Sequence, residues 1–492
     1  MSPEPAGGIA FDSGPGRWVL TIAVLGSGIA FLDGTVVNVA LPAIGRDLDA
    51  GTSELQWMLN GYLLTLASLI LLGGSLGDRI GRRRIFTIGV GWFTAASLLC
   101  ALAPSAETLV AARLLQGIGG ALLTPGSLAM IEASFRREDR ARAIGAWSGL
   151  TGVGAALGPL LGGWLVDAVS WRAIFLINVP LGLFVAAMAP RHVPETRDPQ
   201  ASGRLDVPGA LLAALGLAGT TYALIQAPDD GASPAVAVAA VGGVLAIVAF
   251  FAVERRSESP MMPLGLFASR QFSAANAVTV VVYGALGAVF FLLAAFLQIS
   301  MGWSPLAAGA ASMPVTVLML LFSARAGALA QRIGARVPLT IGPLGIAAGT
   351  LLMTRISPGD SYWTSVLPAM LVFGAGLTLV VAPVTATVLA AAEARHAGIA
   401  SGINNAVSRV AGLLAVAVFP LIGGLTGDAF YDPAAMTAGF HTAMVAAAAL
   451  AALGGLVAWL TIDPAVLEDP GESVARLSVD HECAVSGTPI RS

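Results

Sequence analysis

Lysine is missing from this sequence: all 26 basic residues are arginines. A Walker-type phosphate loop needs a lysine to reach its phosphates, and a Schiff-base chromophore needs one for its imine. Neither an ATP-driven pump contained in this chain nor a retinal protein is therefore expected. Cysteine is nearly as scarce. Cys100, in an apolar run, and Cys483, near the end, supply no disulfide framework, and with four scattered histidines they give no metal-ligand spacing. Charge is thin as well, at 11% of residues against roughly 25% in soluble domains. The net charge of -3 is spread out, which leaves no footprint for nucleic acid.

What fills the chain instead is apolar: 56% of residues are hydrophobic and the mean hydropathy is +0.81. Runs of about 20 such residues are each long enough to cross a hydrocarbon core of about 30 Å. That overrules the three soluble domains of about 150 residues that length alone would suggest. The expected fold is an all-α integral membrane protein with about 14 transmembrane helices. They lie near 17-41, 54-75, 85-104, 107-132, 142-168, 171-190, 207-226, 235-254, 273-299, 306-329, 338-356, 363-390, 398-426 and 436-462.

An even number of spans puts both termini on one side. Loops sharing that side hold Arg79, Arg82, Arg83, Arg84, Arg136, Arg137, Arg140, Arg142, Arg191, Arg197, Arg204, Arg255, Arg256, Arg270, Arg332, Arg336 and Arg395; the opposite loops hold only Arg46, Arg172 and Arg355. The positive-inside rule makes the arginine-rich side, and both termini, cytoplasmic. Residues 1-16 read as a cytoplasmic segment. The apolar run that follows exceeds a signal-peptide core of about 7 to 15 residues, so the first helix is expected to stay. Residues 463-492 are polar and read as a disordered tail. The Arg, Ala and Gly bias goes, by association, with GC-rich bacterial genomes, and a bacterial inner membrane is the expected location.

A weak repeat runs through the sequence. "GSLGDRIGRRRIFTIG" after the second span is echoed by "GALAQRIGARVPLTIG", residues 327-342, after the tenth, keeping Gly74/Gly327, Arg79/Arg332, Gly81/Gly334 and Arg83/Arg336, with Gln331 in place of Asp78. If these loops correspond, residues 17-190 and 273-462 are two six-helix bundles, and the linker 191-272 carries an inserted helix pair. Two parallel halves with a site between them is a transporter architecture.

These residues resemble the major facilitator superfamily, in particular its fourteen-span drug:proton antiporter group. Gly74, Leu76, Asp78, Arg79, Gly81, Arg82 and Arg83 fit the superfamily's loop pattern. "LDGTVVNVALP", 32-42, is similar to the group's first-helix motif; "RLLQGIGGA", 113-121, to that of the fourth helix; and "GVGAALGPLLGG", 152-163, to the antiporter motif through Gly154, Gly158, Pro159, Gly162 and Gly163. "WRAIFLINVPLG" and "ASGINNAVSRVAG" also read like this group. The resemblance implies a gating loop whose Asp78 sits against the start of the thirteenth span, near Gly398 to Gly402, when the cytoplasmic side is closed. A helix N-terminus favours a carboxylate by about 0.3-1 kcal/mol.

Within the spans, Asp33 is the carboxylate that stands out, since an ionised acid there is charged about 2.5-3.5 kcal/mol on insertion scales. It carries protons, binds substrate or does both in turn, or else forms a structural hydrogen bond to neighbouring backbone or a buried ion pair, and Arg113 is the cation available to it. Arg113 could equally orient carbonyls and Gln116; Arg409 lies either near a cavity or near enough to a helix end to snorkel. Helix-5 glycines would form a tight, dry seam. Asn38, Gln56, Trp57, Asn60, Tyr62, Gln116, Tyr283, Phe290, Phe291, Gln298, Asn404 and Asn405 are the candidates for contact with a hydrophobic or amphipathic cargo. The expected activity is proton-driven drug or antibiotic efflux by a monomer with no enzymatic function, no cofactor and no metal. A polar-metabolite carrier and a membrane sensor that has lost transport are the alternatives.

Overall fold

The computed structural model describes residues 8-198, 205-231, 233-393 and 397-467. Among them, fourteen helices are long and apolar enough to cross a membrane. They are α1 (Gly14–Leu48), α2 (Thr52–Ile80), α3 (Arg82–Ala101), α4 (Ala106–Ser134), α5 (Arg140–Ala168), α6 (Ala173–His192), α7 (Val207–Asp230), α8 (Pro234–Arg256), α9 (Arg270–Ile299), α10 (Pro305–Ile333), α11 (Arg336–Met353), α12 (Tyr362–Ala390), α13 (Ala397–Ile422) and α14 (Pro433–Thr461). Side chains that occupy first backbone donors set many of the starts: Ser13, Ser105, Asp206, Ser233, Ser269 and Asp432 all cap. Helix α1 runs past its apolar stretch because Arg46 and Asp47 complete a last turn that hydropathy alone does not register. Of the segment read as a disordered tail, residues 463-467 pack as a short turn; 468-492 lie outside the described residues, as do 1-7 of the N-terminal segment.

Helices α1-α6 pack as one bundle and α9-α14 as another. The weak repeat has a structural counterpart. Gly81 and Gly334 follow α2 and α10 with φ of 132° and 84°, backbone that a Cβ would strain. Just beyond each, an arginine reaches a carbonyl at the far end of its own bundle. Arg83 Nη1 donates to Val193 O, past α6, at 3.0 Å, and Arg336 Nε donates to Ile462 O, past α14, at 2.7 Å. Each bundle is thus tied from its third helix to its sixth. The inserted pair α7/α8 packs as a hairpin, with α7 against both α2 and α13. Trp57 of α2 meets Tyr222 of α7 with ring centroids 6.3 Å apart, and Ser53 donates to Asp229.

The two bundles meet firmly at their arginine-poor ends. Thr52 Oγ1 donates to Gly427 O at 3.0 Å, Gln56 Nε2 to Val416 O at 2.7 Å and Gln298 Nε2 to Val39 O at 2.9 Å. Leu306 N donates to Asp167 Oδ2 at 2.9 Å, and Tyr431 Oη to Ala50 O at 2.7 Å. Burial pushes the Tyr431 phenol up to about 12, so it remains a donor at any physiological pH. Backbones also touch: Gly163 of α5 lies against Pro305 and Leu306, and Gly309 of α10 against Pro159.

Toward the arginine-rich ends the contact is uneven: Gly402 of α13 still lies against Leu71 of α2, whereas α5 stands clear. A Cβ built at Gly28, Gly145, Gly149, Gly152 or Gly398 would meet nothing within 4 Å. The bundles are thus joined at the arginine-poor end and along α2/α13, with open space beside α5 toward the arginine-rich end. Each seam hydrogen bond contributes a net of about 0.5-1.5 kcal/mol, strong enough together to hold the end shut and weak enough to release. A side chain at Gly309 would place its Cβ 2.1 Å from Pro159 O. In protein lacking native cysteines, Gly309→Leu should raise the maleimide labelling rate of Val39→Cys severalfold in detergent; an unchanged rate would contradict the seam.

Candidate functional site

Asp33 projects into the α1-α6 bundle, where its carboxylate is the centre of a polar cluster sealed from solvent. Arg113 Nη1 of α4 ion-pairs with Asp33 Oδ2. Gln116 Nε2, one turn further along α4, donates to Asp33 Oδ1 at 2.8 Å, and Asn178 Nδ2 of α6 donates to the same oxygen at 3.1 Å. The i, i+3 spacing of Arg113 and Gln116 puts both on one face, and a break at Ile177 precedes Asn178 in α6. Ser97 of α3 accepts from Gln116 at 2.8 Å and from Asn178 at 3.4 Å. Arg113 has further partners: its Nη1 donates to Gln116 Oε1 at 2.6 Å, its Nε donates to Met58 O at 2.9 Å, and its guanidinium lies 4.4 Å from the centroid of Tyr62.

Exposure is 0% at Asp33 and 1% at Arg113. A buried charge pair is tolerated when the remaining lone pairs and protons are also met, and here three donors address the carboxylate. The sequence pointed to Asp33, Arg113 and Gln116. It did not point to Ser97 or Asn178, although a polar residue inside each of two apolar runs was the available signal. Gln116 and Tyr62, expected as cargo contacts, are engaged with Asp33 and Arg113 instead, because they share the α2/α4 packing face with that arginine.

The other predicted residues divide by location. Gln56 and Gln298 belong to the closed seam, and Trp57 faces the inserted helix α7. Phe291 is 1% exposed against Phe430, while Phe290 is partly buried with its ring 6.1 Å from Phe373. Asn38 Nδ2 makes only long contacts, at 3.5 Å, to carbonyls of its own helix. Asn60 is fully buried with neither amide atom paired. Asn404 Nδ2 donates to Thr279 Oγ1 at 2.8 Å and Asn276 Oδ1 at 3.2 Å, both within its own bundle. Asn405 is half-buried on a different face of α13, and Tyr283 is half-buried on α9.

Of the antiporter-motif residues, Gly158 and Gly162 pack against Thr35 and Val36 of α1, Gly163 and Pro159 form the seam, and Gly154 stands in open space. In the loop read as a gate, Asp78 Oδ1 accepts from Arg82 Nε at 2.8 Å, and Gly74 meets Pro125. Asp78 is thus bonded within its own bundle, and the start of α13, the partner expected for it in a closed state, meets α2 nearby, where Gly402 lies against Leu71. Arg83 pairs with Glu195 at 3.5 Å, whose carboxylate also accepts from the Arg83 backbone at 3.1 Å. Glu195 escaped the sequence reading; an acid among so many arginines was its signal.

Deleting one member of the buried pair should be worse than deleting both. Arg113→Met strands a buried carboxylate and should destabilise the protein by about 3-5 kcal/mol, lowering its thermal midpoint in detergent. Asp33→Asn combined with Arg113→Met should recover part of that loss. Strict additivity of the single effects would rule out the coupling.

Comparison with known proteins follows the same lines. A family model described as Major Facilitator Superfamily matches residues 23–416. The methylenomycin A resistance protein of Bacillus subtilis (strain 168) is 36% identical over 452 residues, covering 91% of this chain and 95% of that protein. The puromycin resistance protein pur8 of Streptomyces alboniger is 35% identical over 463 residues, covering 91% and 92%. Among solved structures, a bacterial homolog to the human lysosomal transporter Spinster, in an inward-facing and unoccupied conformation, superposes with a TM-score of 0.65 at 20% identity, covering 92% of this chain and 97% of that one.

Proposed function

The chain belongs to the Major Facilitator Superfamily, and we propose that it is driven by proton entry to export hydrophobic or amphipathic compounds of drug or antibiotic type. It is a multi-pass membrane protein and an efflux transporter rather than an enzyme. The resistance functions named for its relatives support that cargo class. The arginine-rich end, with both termini, is assigned to the cytoplasm of a bacterial cell by the positive-inside rule, so the open space beside α5 faces inward. No resident cofactor is needed. Each elementary charge crossing 100 mV releases about 2.3 kcal/mol, and one polypeptide contains both halves of the cleft, so the working unit is taken as a monomer.

The observation that carries the proton assignment is the isolation of Asp33: a carboxylate at 0% exposure, inside a span, held by a cation and two amides. In this state Arg113 supplies its positive partner. A proton arriving from outside can take that place once the bundles rock and Arg113 is drawn toward Met58 O and Gln116 Oε1, which it already contacts. The cycle then has cargo entering the inward cleft with Asp33 ionised, and leaving outward as Asp33 is protonated. Rocking would separate the seam at α5/α10 and bring Asp78 from Arg82 to the start of α13.

Proteoliposomes with an imposed pH gradient test this directly. Adding a transported aromatic compound should evoke proton movement in wild type, and Asp33→Asn should abolish it while leaving the folded protein in the membrane. Coupled export that survives in Asp33→Asn would remove Asp33 from the proton path.

A further inference from the structure

A second intramembrane cation, Arg409, stands midway along α13 and is not used by the Asp33 cluster. Its Cζ lies 5.4 Å from the ring centroid of Phe31 of α1, across the boundary between the bundles. Its Nε is buried and has no hydrogen-bond acceptor, and none of the ion pairs among the described residues includes it. Asp33, two positions from Phe31, is already committed to Arg113, Gln116 and Asn178.

The surrounding face turns toward the other bundle. Gly402, Asn405 and Arg409 follow i, i+3, i+7 spacing and so share one side of α13. A Cβ at Gly402 would lie 2.9 Å from Leu71 of α2, which fixes that side as the one turned toward the other bundle. Asn404, one position off this face, bonds within its own bundle instead.

A guanidinium stays charged at any pH a cell meets, and at mid-span it is expensive unless something of opposite charge answers it. The aromatic face of Phe31 is a partial answer only. Its planar fork of donors matches a carboxylate with two parallel bonds. We infer that Arg409, with Asn405 beside it and Phe31 as a shelf, is an anion-binding subsite of the cleft, and that the cargo includes amphipathic monoanions carrying a carboxylate next to an aromatic or apolar body. This rests on the export reading for its location, but it concerns equilibrium binding and is separable from proton coupling.

The test uses full-length purified protein and a matched set of probes: 2-naphthoate, 2-naphthamide and 2-naphthylmethylammonium, titrated by isothermal calorimetry. Wild type should bind the carboxylate at least tenfold more tightly than the amide or the ammonium. Arg409→Gln should abolish that preference, and Arg409→Lys, which keeps the charge but loses the fork, should retain part of it. Equal binding of carboxylate and amide by wild type, or tighter binding of the ammonium, would overturn the subsite. So would a carboxylate preference that persists in Arg409→Gln. Wild-type selectivity decides the matter even if a variant fails to fold. Proton flux in proteoliposomes is read separately, so anion selectivity without coupled flux would spare the subsite and count against the proton-driven reading alone.

Discussion

The charge pair between Asp33 and Arg113 governs the N-terminal bundle. An ion pair at 0% and 1% exposure contributes little net stability beyond what a well-packed apolar pair would give, since desolvation offsets most of the attraction. Its weight lies in the conditions it sets. Four helices must bring α1 Asp33, α4 Arg113 and Gln116, α3 Ser97 and α6 Asn178 to one point, and α2 must offer the Met58 carbonyl to Arg113 Nε. These bonds join five of the bundle's six helices at one cluster. The arginine tie from α3 to the end of α6 constrains the bundle again at the loop end, and the C-terminal bundle carries a matching tie with no counterpart of the charge pair among the described residues.

Opening then depends on the contacts between the two bundles. Those at the arginine-poor end are short hydrogen bonds and glycine-permitted backbone approaches, each modest on its own. At the other end Asp78 is held by Arg82 four residues away rather than by the opposite bundle. A transporter must visit both closures with similar free energies, and a seam assembled from individually weak bonds suits that requirement.

Much of the fold was legible because membrane spans announce themselves by length and hydropathy. The loop echo was legible too, down to Arg83 and Arg336. Burial was not. Helices α8 and α9 have similar mean hydropathy, 2.7 and 2.5, yet 17% of one window and 72% of the other lie inside the protein. In lipid both surroundings are apolar, so hydropathy cannot separate a peripheral helix from a central one. The same limit hid the roles of polar residues. Gln56, Asn60, Gln116 and Gln298 look alike in sequence, but one joins the charge cluster, two form the seam and one is left unpaired. Side-chain direction around each helix decides, and that comes from bundle packing.

The seam bonds share a chemical trait. Thr52, Gln56, Gln298 and Tyr431 each donate to a main-chain carbonyl across the boundary, and Asp167 accepts from a main-chain amide. Every bond therefore has one partner written in the genetic code and one that all amino acids possess. Mutation can alter Gly427, Val416, Val39, Ala50 or Leu306 without deleting the atom that bonds, provided the backbone path holds. Half of the closure is thus hidden from evolutionary drift. A substitution scan would find its side-chain partners and pass over its main-chain ones, and related chains could keep the same latch while showing little identity along one side of it.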